Sequence, residues 1–181
     1  HEFLMNEAMS RTNADGLFIQ PVVGPKKKGD FVSEVILGSY DILIEKYMKG
    51  ALLAAFSTYS RYSGPREAIF TALCRKNYGC THLIVGRDHA GPGIDSNGNP
   101  FYGPYDAQEI LQKYEEEIGI KMVPFKFLVY LPNEDCYKPI DEIPEGTNYK
   151  TVSGTELRNL LDKGKEIPNW FTYNEVANEL Q

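Results

Sequence analysis

Cysteine is scarce in this sequence. The three cysteines, Cys74, Cys80 and Cys136, are odd in number, form no CxxC motif and have no set of nearby histidines. This pattern argues against the disulfide framework of a small secreted domain and indicates no zinc site. We therefore expect a reducing, cytoplasmic setting for this protein.

An excess of basic residues is also absent. The chain has 19 Lys and Arg against 25 Asp and Glu, which gives a net charge of −6. A protein that neutralises a nucleic-acid backbone needs the opposite balance, so we expect no nucleic-acid partner. No segment reaches the roughly 20 consecutive apolar residues of a membrane span, so we expect no membrane partner either.

Two phosphate-binding fingerprints, GxxxxGK[ST] and GxGxxG, are missing as well. A nucleotide or another anion must therefore be bound by a different local site. The one basic run, Lys26-Lys27-Lys28, lies between Pro25 and Gly29 and is typical of a solvated turn.

Apolar runs of strand length alternate with stretches of helical period, which predicts an α/β fold with a largely parallel sheet flanked by helices. With 181 residues, 42% of them hydrophobic, we expect one domain. The runs predicted as strands are 16–23, 51–57, 82–85 and 122–131. Apolar stripes around Ala68 and Ala72, and from Ala107 to Ile118, predict two crossover helices.

Both ends of the chain carry helical signals. Residues 1–9 are rich in helix formers and no cap precedes them, so we expect the chain to begin inside a helix, with the first strand of the domain upstream. Near the other end, Ser153 with Glu156 and Thr172 with Glu175 form capping-box patterns, which predict two closing helices.

The segment from Gly86 to Gly93 follows a predicted strand, which is where open α/β sheets bind their ligands. Its glycines allow backbone amides to approach a ligand, and Arg87 offers a fork of donors for phosphate. His89 can stack on a base or hydrogen-bond to a sugar. The alternative interpretation is a surface loop in which Arg87 and Asp88 form an ion pair.

Two further segments are candidates for anion binding. Ser153 to Arg158 is predicted to begin a helix, whose free amides and dipole favour anions, although the capping box alone explains the pattern. Arg61 and Arg66 precede and open a crossover helix, where they could meet pyrophosphate or sulfate. The alternative is that Arg66 pairs with Glu67 or another surface acid.

Several longer stretches resemble the ATP sulfurylase (sulfate adenylyltransferase) family in order and spacing: IVGRDHAGPG, FYGPYDAQE, YLPNED and VSGTELRNLLDKGKEIPNWFTYNEV. SRYSGPREA and PVVGPKKKGD also match the family pattern, so the resemblance covers nearly the whole chain. The most specific of these motifs is GRDHAG.

The resemblance implies a Rossmann-like nucleotidylyl transferase core. Residues 1–181 would form the catalytic domain without its first strand, and 153–181 its C-terminal helical segment.

The same resemblance implies roles for residues in the loop after the third strand. The residues expected to hold ATP are Gly86, Arg87, Asp88 and His89. The backbone amide of Ala90 is expected to contact sulfate. His1 falls at the second histidine of the family's HxxH motif, and the resemblance implies that it acts with Arg87 to stabilise charge in the transition state.

Other implied roles lie outside that loop. Leu128 matches a position whose main chain meets the adenine, and Phe125 matches a position that moves when ATP binds. The segment that resembles the family's [ST]-x-T motif supplies three candidate phosphate contacts: Ser153, Thr155 and Arg158.

The activity implied by the resemblance joins ATP and sulfate into adenosine 5'-phosphosulfate and pyrophosphate. A sulfate oxygen would attack the α-phosphorus in line, with no covalent enzyme intermediate, and positioning and charge stabilisation would supply the catalysis. The ligands expected are ATP, sulfate and Mg²⁺, which accompanies ATP or pyrophosphate. A homo-oligomer is also expected.

Two departures from the family pattern bear on these expectations. The family's QxRNPxH segment would lie just upstream of His1, so we expect the 181 residues alone to bind ATP weakly and catalyse poorly. Only Cys136 follows the fourth predicted strand, so we expect no structural zinc. The alternatives are a non-catalytic nucleotide-binding fragment and a nucleotidylyl transferase with another acceptor.

Overall fold

A computed structural model describes residues 1–25 and 30–180. The interpretation of Lys26-Lys27-Lys28 as a solvated turn falls outside these residues. The strands are β1 (Phe18–Ile19), β2 (Leu52–Leu53), β3 (His82–Val85), β4 (Lys121–Pro124), β5 (Leu128–Leu131) and β6 (Cys136–Pro139). The α-helices are α1 (Glu2–Thr12), α2 (Ser33–Lys46), α3 (Pro65–Asn77), α4 (Asp106–Ile118), α5 (Gly154–Asp162) and α6 (Asn174–Leu180), and a 3-10 turn covers Ile140–Glu142.

The strands form two parallel pairs and one antiparallel pair within the described residues. β1 pairs with β2 and β3 pairs with β4, both in parallel, so the α/β class is confirmed and the expected parallel pairing holds for these strands. β5 and β6 are antiparallel, and β6 was not predicted from the sequence. The three pairs are separate two-stranded sheets, so the expectation of one largely parallel sheet is met only in part.

The prediction of a single strand over 122–131 is wrong. β4 ends at Pro124, and a new strand begins at Leu128 with a different partner. Phe125 N–H still donates to Val85 O, so Pro124 removes no bond from the β3–β4 pair, and the missing N–H falls on the other edge of β4, a position typical for a strand proline. The predicted strands 16–23 and 51–57 contain β1 and β2, but each paired segment is only two residues long, followed by an isolated bridge between Val22 and Phe56.

The chain divides into two compact units, and the first contains His1–Asp15 and Ser60–Phe127. Its core forms where α3 and α4 cover β3 and β4, as both predicted stripes indicate. The buried residues of this core are Ala68, Ala72, Val85, Ala107, Leu111 and Ile120. Pro65 stands at the first position of α3, where its missing N–H costs no helical bond, and Gly119 closes α4 in the left-handed conformation.

The helix predicted over residues 1–9 is confirmed as α1. Its inward face carries Leu4 and Ala8, which pack against Val123 and Phe125 of the β4 end. Phe125 is 2% exposed, and the Arg11 guanidinium lies 4.5 Å from the centre of its ring. α1 therefore belongs to the packed structure of the first unit and covers the end of β4.

The second unit contains Gly16–Tyr59 and the chain from Leu128 onward, within the described residues. α2, which was not predicted, packs against α6, and the rings of Tyr47 and Tyr173 stack with centroids 3.5 Å apart. In the described part of the chain, no helix combines the length and apolar character needed to cross a membrane.

The two capping-box predictions have different outcomes. The box of Ser153 and Glu156 is confirmed, since each side chain bonds the other residue's backbone N–H at the start of α5. The helix predicted through Val176 and Leu180 is confirmed as α6, but its capping box is wrong, because α6 begins only at Asn174. The Glu175 carboxylate instead accepts hydrogen bonds from side chains of α2, which draws it away from a capping position.

Candidate active site

A cavity of about 300 Å³ opens beside the segment that follows β3. Three of the predicted ligand residues line it, namely Arg87, Asp88 and His89. The opposite side is built from the start of α3 at Gly64-Pro65 and from the loop around Tyr102. The site therefore lies beyond the carboxyl end of a parallel strand, as the sequence pattern predicts.

The backbone of this segment is held in an uncommon conformation. Asp88 and Ala90 have φ angles of +52° and +53°, which residues with a side chain seldom adopt. Asp88 N–H donates to Pro104 O at 2.8 Å, and Gly64 N–H donates to Ala90 O at 2.9 Å. Bonds from two other parts of the unit thus maintain the shape of the loop.

Arg87 forms the ion pair that the alternative interpretation predicted. Its Nε lies 2.7 Å from Asp88 Oδ2, and its guanidinium lies 4.8 Å from the centre of the Phe127 ring. The two paired side chains remain 43% and 54% exposed. The pair uses Nε, so the two Nη groups of this partly exposed side chain take no part in it, and such a fork of donors suits a phosphate. Ion pair and ligand binding are therefore compatible.

His89 is half-buried in the same segment. Burial lowers its pKa below the ordinary 6.5, the charge of Glu67 opposes that shift, and Arg75 adds to it. The imidazole is therefore neutral at physiological pH, and it can stack or exchange hydrogen bonds without adding charge to the site.

His1 and Phe125, the other predicted residues of this unit, lie at α1 and the end of β4. His1 precedes α1 as its N-cap residue, is exposed, and accepts the Met5 N–H through its carbonyl at 3.0 Å. Phe125 donates its N–H to Val85 O at 3.0 Å, directly before Gly86. Phe125 is thereby joined through the backbone to the start of the Gly86–Ala90 segment.

The remaining predicted residues belong to the second unit. Leu128 opens β5 opposite Pro139. Ser153 caps α5, and Arg158 lies 3.5 Å from the Asp30 carboxylate. A second cavity of about 250 Å³ borders α5, but the residues that line it include Glu156 and none of Ser153, Thr155 and Arg158.

Gln108 was missed by the sequence analysis. Its Nε2 donates to Val85 O and to Phe125 O, each at 2.9 Å, so one side chain ties together the ends of β3 and β4. The only signal in the sequence is that Gln108, a polar residue, follows Ala107, which lies on the apolar stripe of α4. The Gln108 side chain bonds to backbone carbonyls, which every residue has, so no sequence pattern identifies its partners.

Glu67 was considered only as a partner of Arg66, and that interpretation is wrong. Glu67 is 8% exposed, and its carboxylate accepts backbone N–H groups of Arg61 and Ser63. Arg66 is exposed, whereas the Arg61 guanidinium lies 4.3 Å from the centre of the Phe70 ring.

The described residues contain no group of three or more His, Cys, Asp or Glu side chains arranged to hold a metal ion. The cavity beside β3 instead offers a guanidinium, a neutral imidazole and one carboxylate already paired with that guanidinium. This donor set suits an anionic ligand better than a bare cation.

The chain is similar in sequence to proteins of one family. The family model described as ATP-sulfurylase matches residues 1–181. The chain is 50% identical to a sulfate adenylyltransferase of Gibberella zeae over 173 residues, which cover 95% of the chain and 30% of that protein. It is 47% identical to a sulfate adenylyltransferase of Eremothecium gossypii over 182 residues, covering 100% of the chain and 36% of that protein.

A solved structure titled "Hexameric APS kinase from Thiobacillus denitrificans" has a similar fold, with a TM-score of 0.72 at 22% identity, over 99% of this chain and 32% of that one. The chain thus spans about a third of the length of these relatives. Since the family model matches its whole length, the chain belongs to the ATP-sulfurylase family.

Proposed function

We propose that this chain is the nucleotide-handling part of a sulfate adenylyltransferase, which converts ATP and sulfate into adenosine 5'-phosphosulfate and pyrophosphate. The observation that carries the proposal is the family match over residues 1–181, combined with the cavity that Arg87, Asp88 and His89 line. The curated relatives bear the name of this activity.

The proposed ligand contacts follow the segment after β3. Gly86, Arg87, Asp88 and His89 hold ATP, and the Ala90 N–H contacts sulfate. The Nη groups of Arg87, which take no part in its ion pair, support a phosphate contact, because a planar fork of charged donors matches phosphate oxygens. The neutral state favoured for His89 supports a contact with the base or sugar.

The proposed reaction is an in-line attack of a sulfate oxygen on the α-phosphorus, in which the bond to pyrophosphate breaks. The protein forms no covalent bond to substrate in this scheme. Its contribution is to orient two anions and stabilise the charge that develops, which is the usual task in phosphoryl transfer. Arg87 and His1 are proposed for that task, since Arg87 is held by Asp88 and Phe127 before any ligand arrives.

Further contacts are proposed in both units. In the first unit, Phe125 moves when ATP binds. In the second unit, the Leu128 main chain meets the adenine, and three residues at the start of α5 contact phosphate: Ser153, Thr155 and Arg158. The exposed first turn of α5 supports the last of these.

At the level of the whole protein, residues 1–181 form a Rossmann-like nucleotidylyl transferase domain with 153–181 as its C-terminal helical segment. The complete protein is a cytoplasmic homo-oligomer. Mg²⁺ enters as part of the ATP or pyrophosphate complex, which is consistent with the donor set of the cavity.

Sulfate-dependent release of pyrophosphate from ATP tests the proposal. The measurement compares this chain with a protein completed to the length of the curated relatives. We expect release in the completed protein that saturates with sulfate, and little release from the 181 residues alone. Release that ignores sulfate would indicate another acceptor. A folded, completed protein that binds ATP without any release would indicate a non-catalytic nucleotide-binding module.

A further inference from the structure

Glu67 is a buried carboxylate in the first turn of α3. Its Oε1 accepts the Arg61 N–H at 3.0 Å, and its Oε2 accepts the Arg61 and Ser63 N–H groups at 3.1 and 3.2 Å. A charged group is tolerated in an interior when hydrogen bonds replace the water that it loses. These bonds do so, and Glu67 therefore fastens the turn at 61–63 to α3.

The turn that Glu67 holds touches the segment after β3 directly. Gly64 N–H donates to Ala90 O at 2.9 Å. A Cβ added to Gly64 would lie 2.6 Å from the Tyr102 ring, so this backbone lies against a side chain that lines the cavity. Gly64 has a φ of +51°, a value that glycine adopts without strain. A shift of the turn would therefore reach both Ala90 and the cavity wall.

We propose that Glu67 is a positioning residue for the sulfate end of the site: it holds the backbone of Arg61 and Ser63, and thereby places Gly64 so that Gly64 orients Ala90. The inference rests on the proposed function, in which the Ala90 amide contacts sulfate. Ala90 has a φ of +53°, a conformation that an alanine keeps only when its surroundings hold it. The bond from Gly64 is one such restraint.

This role predicts a selective defect. The proposed phosphate contact of Arg87 is set by its ion pair with Asp88 and by the Phe127 ring. The orientation of Ala90 depends on Gly64. Loss of the Glu67 carboxylate should therefore weaken sulfate binding more than ATP binding.

The test replaces Glu67 by glutamine in a protein completed to the length of the relatives. Gln has nearly the same shape, but its NH₂ group would face a backbone N–H. The matched control is Glu109→Gln, the same change at an exposed residue in the first turn of α4. The measurements are the KM for sulfate, the KM for ATP, kcat, and amide hydrogen exchange at Arg61, Ser63 and Gly64.

We expect Glu67→Gln to raise the KM for sulfate by about tenfold, in keeping with the loss of a charge-assisted hydrogen bond, while the KM for ATP changes less than twofold. Amide exchange at the three residues should accelerate, and Glu109→Gln should change neither quantity. An equal rise in both KM values, or a sulfate KM like that of the control, would overturn the proposal. If the parent protein does not use sulfate, the proposed function fails, and unchanged exchange in Glu67→Gln would separately refute the positioning role.

Discussion

The segment after β3 and the start of α5 are both candidate anion sites, but they are built in different ways. At α5, the side chains of Ser153 and Glu156 each accept the other residue's backbone N–H, so both bonds lie within four residues of sequence. After β3, Asp88 bonds to Pro104 O and Ala90 to Gly64 N–H, so the conformation depends on distant parts of the unit. A local motif stabilises a helix by itself, whereas a strained loop requires a fold to hold it.

The difference suggests which region carries chemistry. The Ser153 hydroxyl already accepts the Glu156 N–H, and Arg158 lies near Asp30, so part of the donor set at α5 is occupied within the unit. In the segment after β3, the Nη groups of Arg87 take no part in its ion pair, and Arg87 lines a cavity of about 300 Å³. Sites that hold donors in place before the ligand arrives are the ones that stabilise a transition state.

Replacing the arginine of each region should give the largest difference in activity between the two regions. We expect Arg87→Ala to lower activity by about 10²- to 10³-fold, as is typical when one donor to transition-state charge is removed. Arg158→Ala should lower it by less than about tenfold, since Arg158 already lies 3.5 Å from the Asp30 carboxylate and lines neither of the two cavities described above. The measurement is pyrophosphate-dependent ATP formation from adenosine 5'-phosphosulfate, in a protein completed to the length of the relatives.

Arg87→Lys is the matched control for this comparison. Lysine keeps the charge but not the planar fork, so an intermediate loss supports phosphate recognition by the guanidinium. A larger loss in Arg158→Ala than in Arg87→Ala would reverse the comparison and assign the principal phosphate contact to α5.

The same contrast explains how far the sequence alone could predict the molecule. β3 was predicted with its bounds because it is a short apolar run, and the Ser153–Glu156 box because all its atoms are local. Gln108 and Glu67 could not be predicted as loop supports, since their partners are backbone groups of other segments. β6 has the sequence CYKP, which shows no alternation of apolar and polar residues, so only its pairing with β5 makes it a strand.

Of two errors, one was readable from the sequence and the other was not. Pro124 stands inside the predicted strand 122–131 at the residue where β4 ends, and proline is uncommon in the interior of a strand. The Thr172 box fails because Glu175 has stronger partners in α2, at 2.8 Å from Lys46 Nζ and 3.0 Å from Tyr47 Oη. The Pro124 error came from underweighting a local signal, and the Thr172 error from a tertiary contact that overrides a local motif.

Glycine substitutions test how strongly the first unit holds its loop. Gly64→Ala places a Cβ against the Tyr102 ring in a left-handed conformation, and we expect it to lower the free energy of unfolding by about 2–4 kcal/mol. Gly98→Ala is the matched control, because Gly98 also has a positive φ of +85° but nothing lies within 4 Å of its added Cβ. Its cost should be about 1 kcal/mol.

Urea unfolding of both variants measures the difference. A cost for Gly64→Ala no larger than that for Gly98→Ala would mean that the Tyr102 contact adjusts freely, and the loop would then be less firmly held than the bonds at Ala90 and Asp88 indicate.

The smallest expected effect is a difference between the two units in how their stability depends on pH. In the second unit, hydrogen bonds from Lys46 and Tyr47 lower the pKa of Glu175 from 4.5 to about 2. A carboxyl whose pKa is lower in the folded state stabilises it above the unfolded value, so this contribution is lost as pH falls from 4.5 towards 2. In the first unit, burial lowers the pKa of His89 below 6.5, so the unfolded chain takes up its proton first and stability decreases as pH falls below 6.5.

Urea unfolding from pH 7.5 down to about pH 3 measures both windows, because this range spans the unfolded-state pKa values of histidine and glutamate. Glu175→Gln should flatten the dependence below pH 4.5, and His89→Gln should flatten it just below 6.5. If Glu175→Gln instead altered the upper window, the Lys46–Glu175 contact would not be the source of the acid sensitivity. The charges of Lys46 and Glu175 would then be acting beyond their own contact.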